Sequence, residues 1–187
     1  MNPPVRIFPV VAGMAVLGLM FLLRTMVSVD PIGPGRSVEG RPLPIDVYGD
    51  GPKTILIMAT IHGNEEAGTP LLQTLSRWLD SEEGEQLLAG RRVVILPVVN
   101  PDGLAADRRF NQRGVDLNRN FPATNRQNSE RYGMVALSEP EARWIKEVLD
   151  HYQPEIMVSL HQPVACVDYD GPAEELARVM SAACRLP

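Results

Sequence analysis

The sequence predicts an α/β fold, a sheet with helices on both faces, preceded by an N-terminal hydrophobic helix. Two observations lead there. After residue 44, short apolar runs of strand length alternate with segments of helical spacing, the order that builds a sheet covered by helices. Before that point, Ile7 to Leu23 forms a run of 17 uncharged residues bounded by Arg6 and Arg24.

A helix as long as that run spans roughly 26 Å, the short end of what crosses a bilayer. Pro9 sits near its start, where a helix tolerates proline. The run has no polar face, which makes a buried core helix the weaker reading. It is longer than most signal-peptide cores and is followed by no clear small-x-small cleavage site, so an uncleaved membrane anchor is expected, with secretion after cleavage as the alternative. Arg6 and the terminal amine favour an inside N-terminus and an extracytoplasmic domain, while Arg24 and Arg36 reduce the charge asymmetry. Residues 30–44, DPIGPGRSVEGRPLP, read as a linker or an extended entry. The expected organisation is therefore 1–29 anchor or signal segment, 30–44 linker and 45–187 domain.

Within the domain, Thr54 to Ile61 is a buried strand and Glu65 to Leu79 a helix whose Leu71, Leu72, Leu75 and Trp78 share a face. Arg92 to Val99 is a second strand, with Pro97 at its end or at a bulge. Pro101 to Pro122, rich in Gly, Asn, Asp and Arg, is a long loop of the kind that carries function. Ser138 caps the next helix, Glu141 completes a capping box and Pro140 lies in the first turn. That helix runs to about Tyr152. Glu155 to Leu160 is a third strand, and Pro172 to Cys184 a last helix.

Composition narrows the function. A net charge of −5 argues against a nucleic-acid partner, which requires a basic patch. Cys166 and Cys184 match no zinc spacing. They read as unrelated thiols, with a disulfide open only outside the cytoplasm.

Chemistry-bearing residues fall just after the three apolar strands: His62 and Glu65, then Asn100-Pro101-Asp102-Gly103, then His161. Ligand sites of open α/β sheets gather at that edge. Two histidines and one glutamate form a ligand set that catalytic zinc uses, with a fourth position left for water. Such a site lowers the pKa of water to about 7. The loop RGVDLNRNFP, Arg113 to Pro122, adds Asp116, Asn118 and Arg119. Arginine captures carboxylates bidentately, Asn118 can bond the same group, and Asp116 can fix the tautomer of a ligand histidine. Arg109 can face a carbonyl oxygen as negative charge develops on it. A solvated polar loop is the plainer reading of the same residues.

With His62-Gly63-Asn64-Glu65, NPDG, GVDLNRNFP, the EPE helix start and SLH followed by Pro163, the chain resembles the zinc carboxypeptidases of the carboxypeptidase A type. Ser159 to Cys166 resembles the bacterial murein peptide amidase branch most. The resemblance implies a mixed, mostly parallel sheet flanked by helices. It implies one zinc per chain on His62, Glu65 and His161, with Asp116 supporting the first histidine. It further implies a substrate-carboxylate clamp of Asn118 and Arg119, and Arg109 on the scissile carbonyl. The expected substrate is a peptide or a peptidoglycan stem peptide, cut near a free carboxylate. Two departures stand out. Gln162 replaces the glutamate usual in the murein branch. The family's catalytic glutamate lies several tens of residues beyond the third ligand, whereas 26 residues follow His161. Glu174 and Glu175 are too close to match, so no general base is assigned and the domain is expected to be incomplete at its C-terminus. The alternatives are a zinc N-acyl amino acid deacylase of the aspartoacylase and succinylglutamate desuccinylase type, or an inactive zinc- or peptide-binding chain.

Overall fold

The computed structural model describes residues 32–162 and 165–187. The run Ile7 to Leu23, and the anchor expected there, lies outside the described residues. Among those described, no helix is long and apolar enough to cross a membrane. The chain divides into a first unit, Met1–Gly33, and a second, larger one, Pro34–Pro187. Its boundary differs from the sequence expectation, because residues 34–44 belong to the compact unit.

Among its described residues this unit has six strands and five helices. β1 (Gly35–Arg36) pairs antiparallel with β2 (Pro42–Leu43). A four-stranded sheet is built from β3 (Asp46–Tyr48), β4 (Lys53–Ala59), β5 (Arg91–Leu96) and β6 (Ile156–Leu160), in the order β3-β5-β4-β6. β4 is parallel to both β5 and β6, and β3 runs antiparallel to β5. The helices are α1 (Gly68–Leu79), α2 (Glu82–Leu87), α3 (Pro101–Ala105), α4 (Pro140–Tyr152) and α5 (Glu174–Cys184), with a single 3-10 turn at Leu117–Arg119. This is the mixed, mostly parallel sheet flanked by helices that the sequence predicts.

The central strands are apolar because both their faces are covered. Leu56, Met58 and Ala59 of β4 and Val94, Ile95 and Leu96 of β5 are buried. On one face, Leu72 and Leu79 of α1 pack with Ala59, Val93 and Ile95, each leucine contributing about 1.5–3 kcal/mol of apolar burial. The face of α1 differs from expectation. Its buried stripe is Leu72, Ser76 and Leu79, while Leu71 and Trp78 are exposed. The helix also begins at Gly68, later than Glu65, since the preceding residues are folded into a tight turn.

Other local differences have side-chain causes. The expected loop 101–122 contains α3, because Asn100 Oδ1 accepts from Gly103 N at 2.9 Å and Pro101 occupies the first turn. The capping box of α4 does not form; Glu139 is the N-cap and supplies no side-chain cap. Ser138 Oγ instead accepts from Asn120 Nδ2 at 3.0 Å and donates to Glu139 Oε1 at 2.8 Å. Glu141 turns inward, accepting from Val38 N at 3.0 Å and Asn111 Nδ2 at 3.3 Å. Burial pushes its carboxyl above the ordinary range.

Besides the Val38–Glu141 bond, two further features hold residues 34–44. Gly35 lies against the Trp144 ring so closely that a Cβ would sit 2.3 Å from it. Asp102, from the NPDG stretch, accepts from Ser37 Oγ at 2.7 Å, Glu39 N at 2.9 Å and Arg41 Nη1 at 2.6 Å. Burial opposes ionisation of Asp102, but these donors outweigh it and hold its carboxyl below the ordinary range. Cys166 and Cys184 are free thiols, both exposed.

Candidate metal centre

The centre forms where the parallel strands end. Ala59 of β4 is in register with Leu160 of β6. The residues that follow each strand therefore emerge side by side: the turn 60–67 from β4, and His161 from β6. Sequence separation of about a hundred residues is removed by one register pairing.

The turn is strained and heavily braced. Thr60 has φ 56°, unfavourable for a β-branched residue. Its carbonyl accepts from Asn100 N at 3.0 Å, and its Oγ1 lies 2.8 Å from Thr69 Oγ1. Thr69 in turn donates to the Pro97 carbonyl at 3.0 Å. Strain of this kind persists only where the surroundings over-determine it. Gly63 allows the turn to press onto the loop after β5, where a Cβ would meet Gly103 C at 2.0 Å and Arg108 O at 2.5 Å. Gly63 N and Asn100 Nδ2 both donate to the Arg109 carbonyl, at 3.2 and 3.4 Å. Three functional stretches are thus tied together at the Arg109 carbonyl.

His62, Glu65 and His161 each offer one ligand atom, and these atoms lie within 4.8 Å of one another. His62 and Glu65 are buried, with side chains 3% and 6% exposed, while His161 is 32% exposed on the open side. Glu65 lies between the histidines: Oε1 is 2.8 Å from His62 Nδ1 and Oε2 is 2.8 Å from His161 Nδ1. Gln162 N also donates to Oε2 at 3.0 Å. Burial works against the charge on Glu65, but the donors from Gln162 and His161 and the neighbouring His62 hold its carboxyl below the ordinary range.

The tautomer of His62 decides what this cluster can bind. Its Nε2 lies 3.2 Å from Asp116 Oδ1, so Nε2 carries the proton and Nδ1 the lone pair. That Nδ1 is buried 2.8 Å from Glu65 Oε1, itself an acceptor, and forms no hydrogen bond among the described residues. It therefore aims an unsatisfied lone pair at the point where Glu65 and His161 converge. Two imidazoles and a carboxylate so arranged fit zinc.

Asp116 is buried, N-caps the 3-10 turn by accepting from Asn118 N at 3.1 Å, and faces Arg109 Nε and Nη2 at 3.4 Å through Oδ2. Burial opposes its charge, yet His62, Arg109 and Arg119 hold its carboxyl below the ordinary range. Arg109 also donates from Nη1 to Glu65 Oε1 at 3.1 Å, with its side chain 39% exposed. A cleft of about 290 Å³ opens here, lined by Asn64, Glu65, Arg109 and Gln162. Arg119 is exposed and, among the described residues, its side chain donates a hydrogen bond only to the Asn118 carbonyl, from Nη1 at 3.0 Å. Among the described residues the Asn118 side chain has no protein partner. Glu174 and Glu175 lie on the exposed surface of α5, where Glu175 pairs with Arg178.

The sequence profile of the zinc carboxypeptidases matches residues 24–170. The chain belongs to this family. It is 35% identical to murein peptide amidase A of Escherichia coli K12, over 82% of this chain and 67% of the relative. It is 31% identical to the human carboxypeptidase N catalytic chain, over 72% of this chain but only 38% of that protein. Among solved structures, murein-tripeptide amidase MpaA from Escherichia coli O157 superimposes with a TM-score of 0.65 and 30% identity, covering 82% of this chain and 68% of that one. Carboxypeptidase A from Helicoverpa armigera, at 23% identity and a TM-score of 0.64, shares the fold.

The structure brings His62, Glu65, His161, Asp116 and Arg109 into one connected network. Asn118 and Arg119 join it through the turn that Asp116 caps. Sequence reasoning gave no role to Thr60, Asn111 or Asn100, although Asn100 lies in a quoted motif. It noted Gln162 only as a departure. Thr60 and Asn111 carry no local signal, since their partners are remote in sequence.

Proposed function

We propose that this protein is a zinc-dependent metallocarboxypeptidase that hydrolyses a peptide or peptidoglycan stem-peptide amide bond near a free carboxylate, with one zinc per chain. The observation that carries the reading is the unsatisfied His62 Nδ1 converging with Glu65 and His161. The likeness to murein peptide amidase A supports the substrate class.

His62, Glu65 and His161 would hold the metal. Zinc in such a site supplies Lewis acidity, polarising a carbonyl oxygen and acidifying water. The remaining roles belong to side chains. Asp116 keeps the proton of His62 on Nε2, so that Nδ1 stays available. Arg119 and the unengaged amide of Asn118 take the substrate carboxylate; a guanidinium forms two parallel bonds to such a group. Arg109, on the rim of the cleft, turns from its carboxylate partners toward the carbonyl oxygen as charge builds there. No residue of the described set is assigned as general base.

The test is elemental analysis combined with paired substrates. Wild-type protein should bind one zinc, and His62→Ala and His161→Ala should bind none; unchanged zinc in both variants would defeat the assignment. In the active enzyme, Arg119→Ala should raise KM for peptides with a free C-terminus and leave amidated peptides unaffected. Equal effects on both would remove Arg119 from the clamp. Cleavage of N-acyl amino acids in place of peptides would favour the deacylase alternative.

A further inference from the structure

Gln162 follows the third proposed ligand and touches the other two ligands' turn at two points. Its backbone N–H donates to Glu65 Oε2 at 3.0 Å. Its side-chain Oε1 accepts from Ala67 N at 2.9 Å. The orientation of the amide is fixed by chemistry, since a backbone N–H can only donate and the atom facing it must be the oxygen. Ala67 is the N-cap of α1 and has no side chain able to cap. The residue from the end of β6 therefore supplies, across 95 positions of sequence, an acceptor that the helix start lacks.

The geometry matters because the two contacts bracket Glu65. Thr60 Oγ1 lies 3.4 Å from the Glu65 carbonyl on the β4 side, and Gln162 grips the carboxylate and the residue two positions on from the β6 side. His161 is covalently next to Gln162, so whatever fixes Gln162 relative to Ala67 fixes His161 relative to His62 and Glu65. Gln162 also forms a wall shared by the cleft of about 290 Å³ and a neighbouring one of about 430 Å³, lined further by Glu66, Ala67, Thr69, Pro70 and Leu104. Being exposed there, it is not needed to fill the core, which separates a role in ligand geometry from one in packing.

We propose that Gln162 is a positioning residue, whose side-chain oxygen braces the start of α1 and thereby holds His161 in register with His62 and Glu65 for metal binding. This rests on the zinc-site reading above. A glutamate would preserve the acceptor, whereas methionine preserves length and removes it.

The experiment measures zinc affinity by chelator competition in the full chain for wild type, Gln162→Met and Gln162→Glu, together with the visible spectrum of the cobalt-substituted proteins and the melting temperature of the metal-free ones. Gln162→Met should weaken zinc binding by about tenfold, the lower end of what ligand-supporting partners contribute, and should alter the cobalt ligand-field bands. Gln162→Glu should restore both. Metal-free melting temperatures should be the same in all three. Unchanged affinity and spectrum in Gln162→Met would overturn the proposal. A loss in Gln162→Met that Gln162→Glu fails to rescue, or that is matched by a lower metal-free melting temperature, would also overturn it. Failure of the wild type to bind zinc at His62 and His161 would overturn the metal-site reading itself, and this inference with it.

Discussion

Replacing Asp116 by asparagine removes one charge and almost no volume. Asp116 Oδ1 lies 3.2 Å from His62 Nε2 and accepts from Asn118 N at 3.1 Å, while Oδ2 faces Arg109 Nε and Nη2 at 3.4 Å. An amide cannot satisfy both sides. With its oxygen toward His62, its NH2 confronts the donors of Arg109; reversed, it confronts the His62 Nε2–H and Asn118 N–H. The first arrangement is the less costly. It exchanges a hydrogen bond to a charged acceptor, worth about 1.5–3 kcal/mol, for a neutral one of about 0.5–1.5 kcal/mol. The expected loss is about 1–1.5 kcal/mol, or roughly tenfold in zinc affinity at 1.36 kcal/mol per decade. That agrees with the lower end of the 10–100-fold usually seen when a ligand histidine loses its partner. Asp116→Ala, which also uncaps the 3-10 turn, should lose more. Chelator competition at fixed neutral pH measures both, with circular dichroism confirming the fold. A well-folded Asp116→Asn variant whose zinc affinity equals that of wild type would refute the claim that the charge of Asp116 strengthens His62 as a ligand.

Three further outcomes are expected. Gly63→Ala should abolish stoichiometric zinc binding or prevent folding, because its Cβ would lie 2.0 Å from Gly103 C, which is backbone and cannot move aside; a folded, zinc-replete variant would show that the turn is looser than described. Asp102→Asn should destabilise the protein by about 1–3 kcal/mol, since at least one of the donors Ser37, Glu39 N–H and Arg41 loses its acceptor. The folded-state pKa of Asp102 is depressed, so this stabilisation is complete above the unfolded value of about 3.9 and disappears as pH falls through the lower folded value. Denaturant titrations should therefore show a stability gap between wild type and variant that is constant near neutrality and narrows below about pH 4; a gap unchanged in acid would contradict the role of the carboxylate. The anchor proposed for Ile7 to Leu23 predicts that a C-terminal fusion to a reporter active only outside the cytoplasm is active, and activity from a cytoplasm-only reporter would reverse that topology.

The sequence alone determined the elements of highest local contrast. The three apolar strand runs at Thr54, Arg92 and Glu155 stand out from their polar flanks, the first two because strands covered on both faces are continuously apolar, and each matches a strand to within a few residues. The ligand candidates were legible for a related reason: two of the three histidines, with Glu65 three residues from His62, follow those strands, where the parallel sheet gathers its ends. What only the tertiary structure decided is carried by residues whose partners are distant along the chain. β3, three residues long, exists through its pairing with β5. Ser138 gives up its capping role because Asn120 reaches it from 18 positions away. The buried face of α1 shifts to Leu72 and Leu79 because the sheet lies on that side. Tautomer choice at His62, the double grip of Gln162 and the anchoring of residues 37–41 by Asp102 all depend on contacts spanning 54 to 97 positions. Hydrogen-bond geometry is short-ranged and directional, so it is specified only once packing has brought such groups within reach.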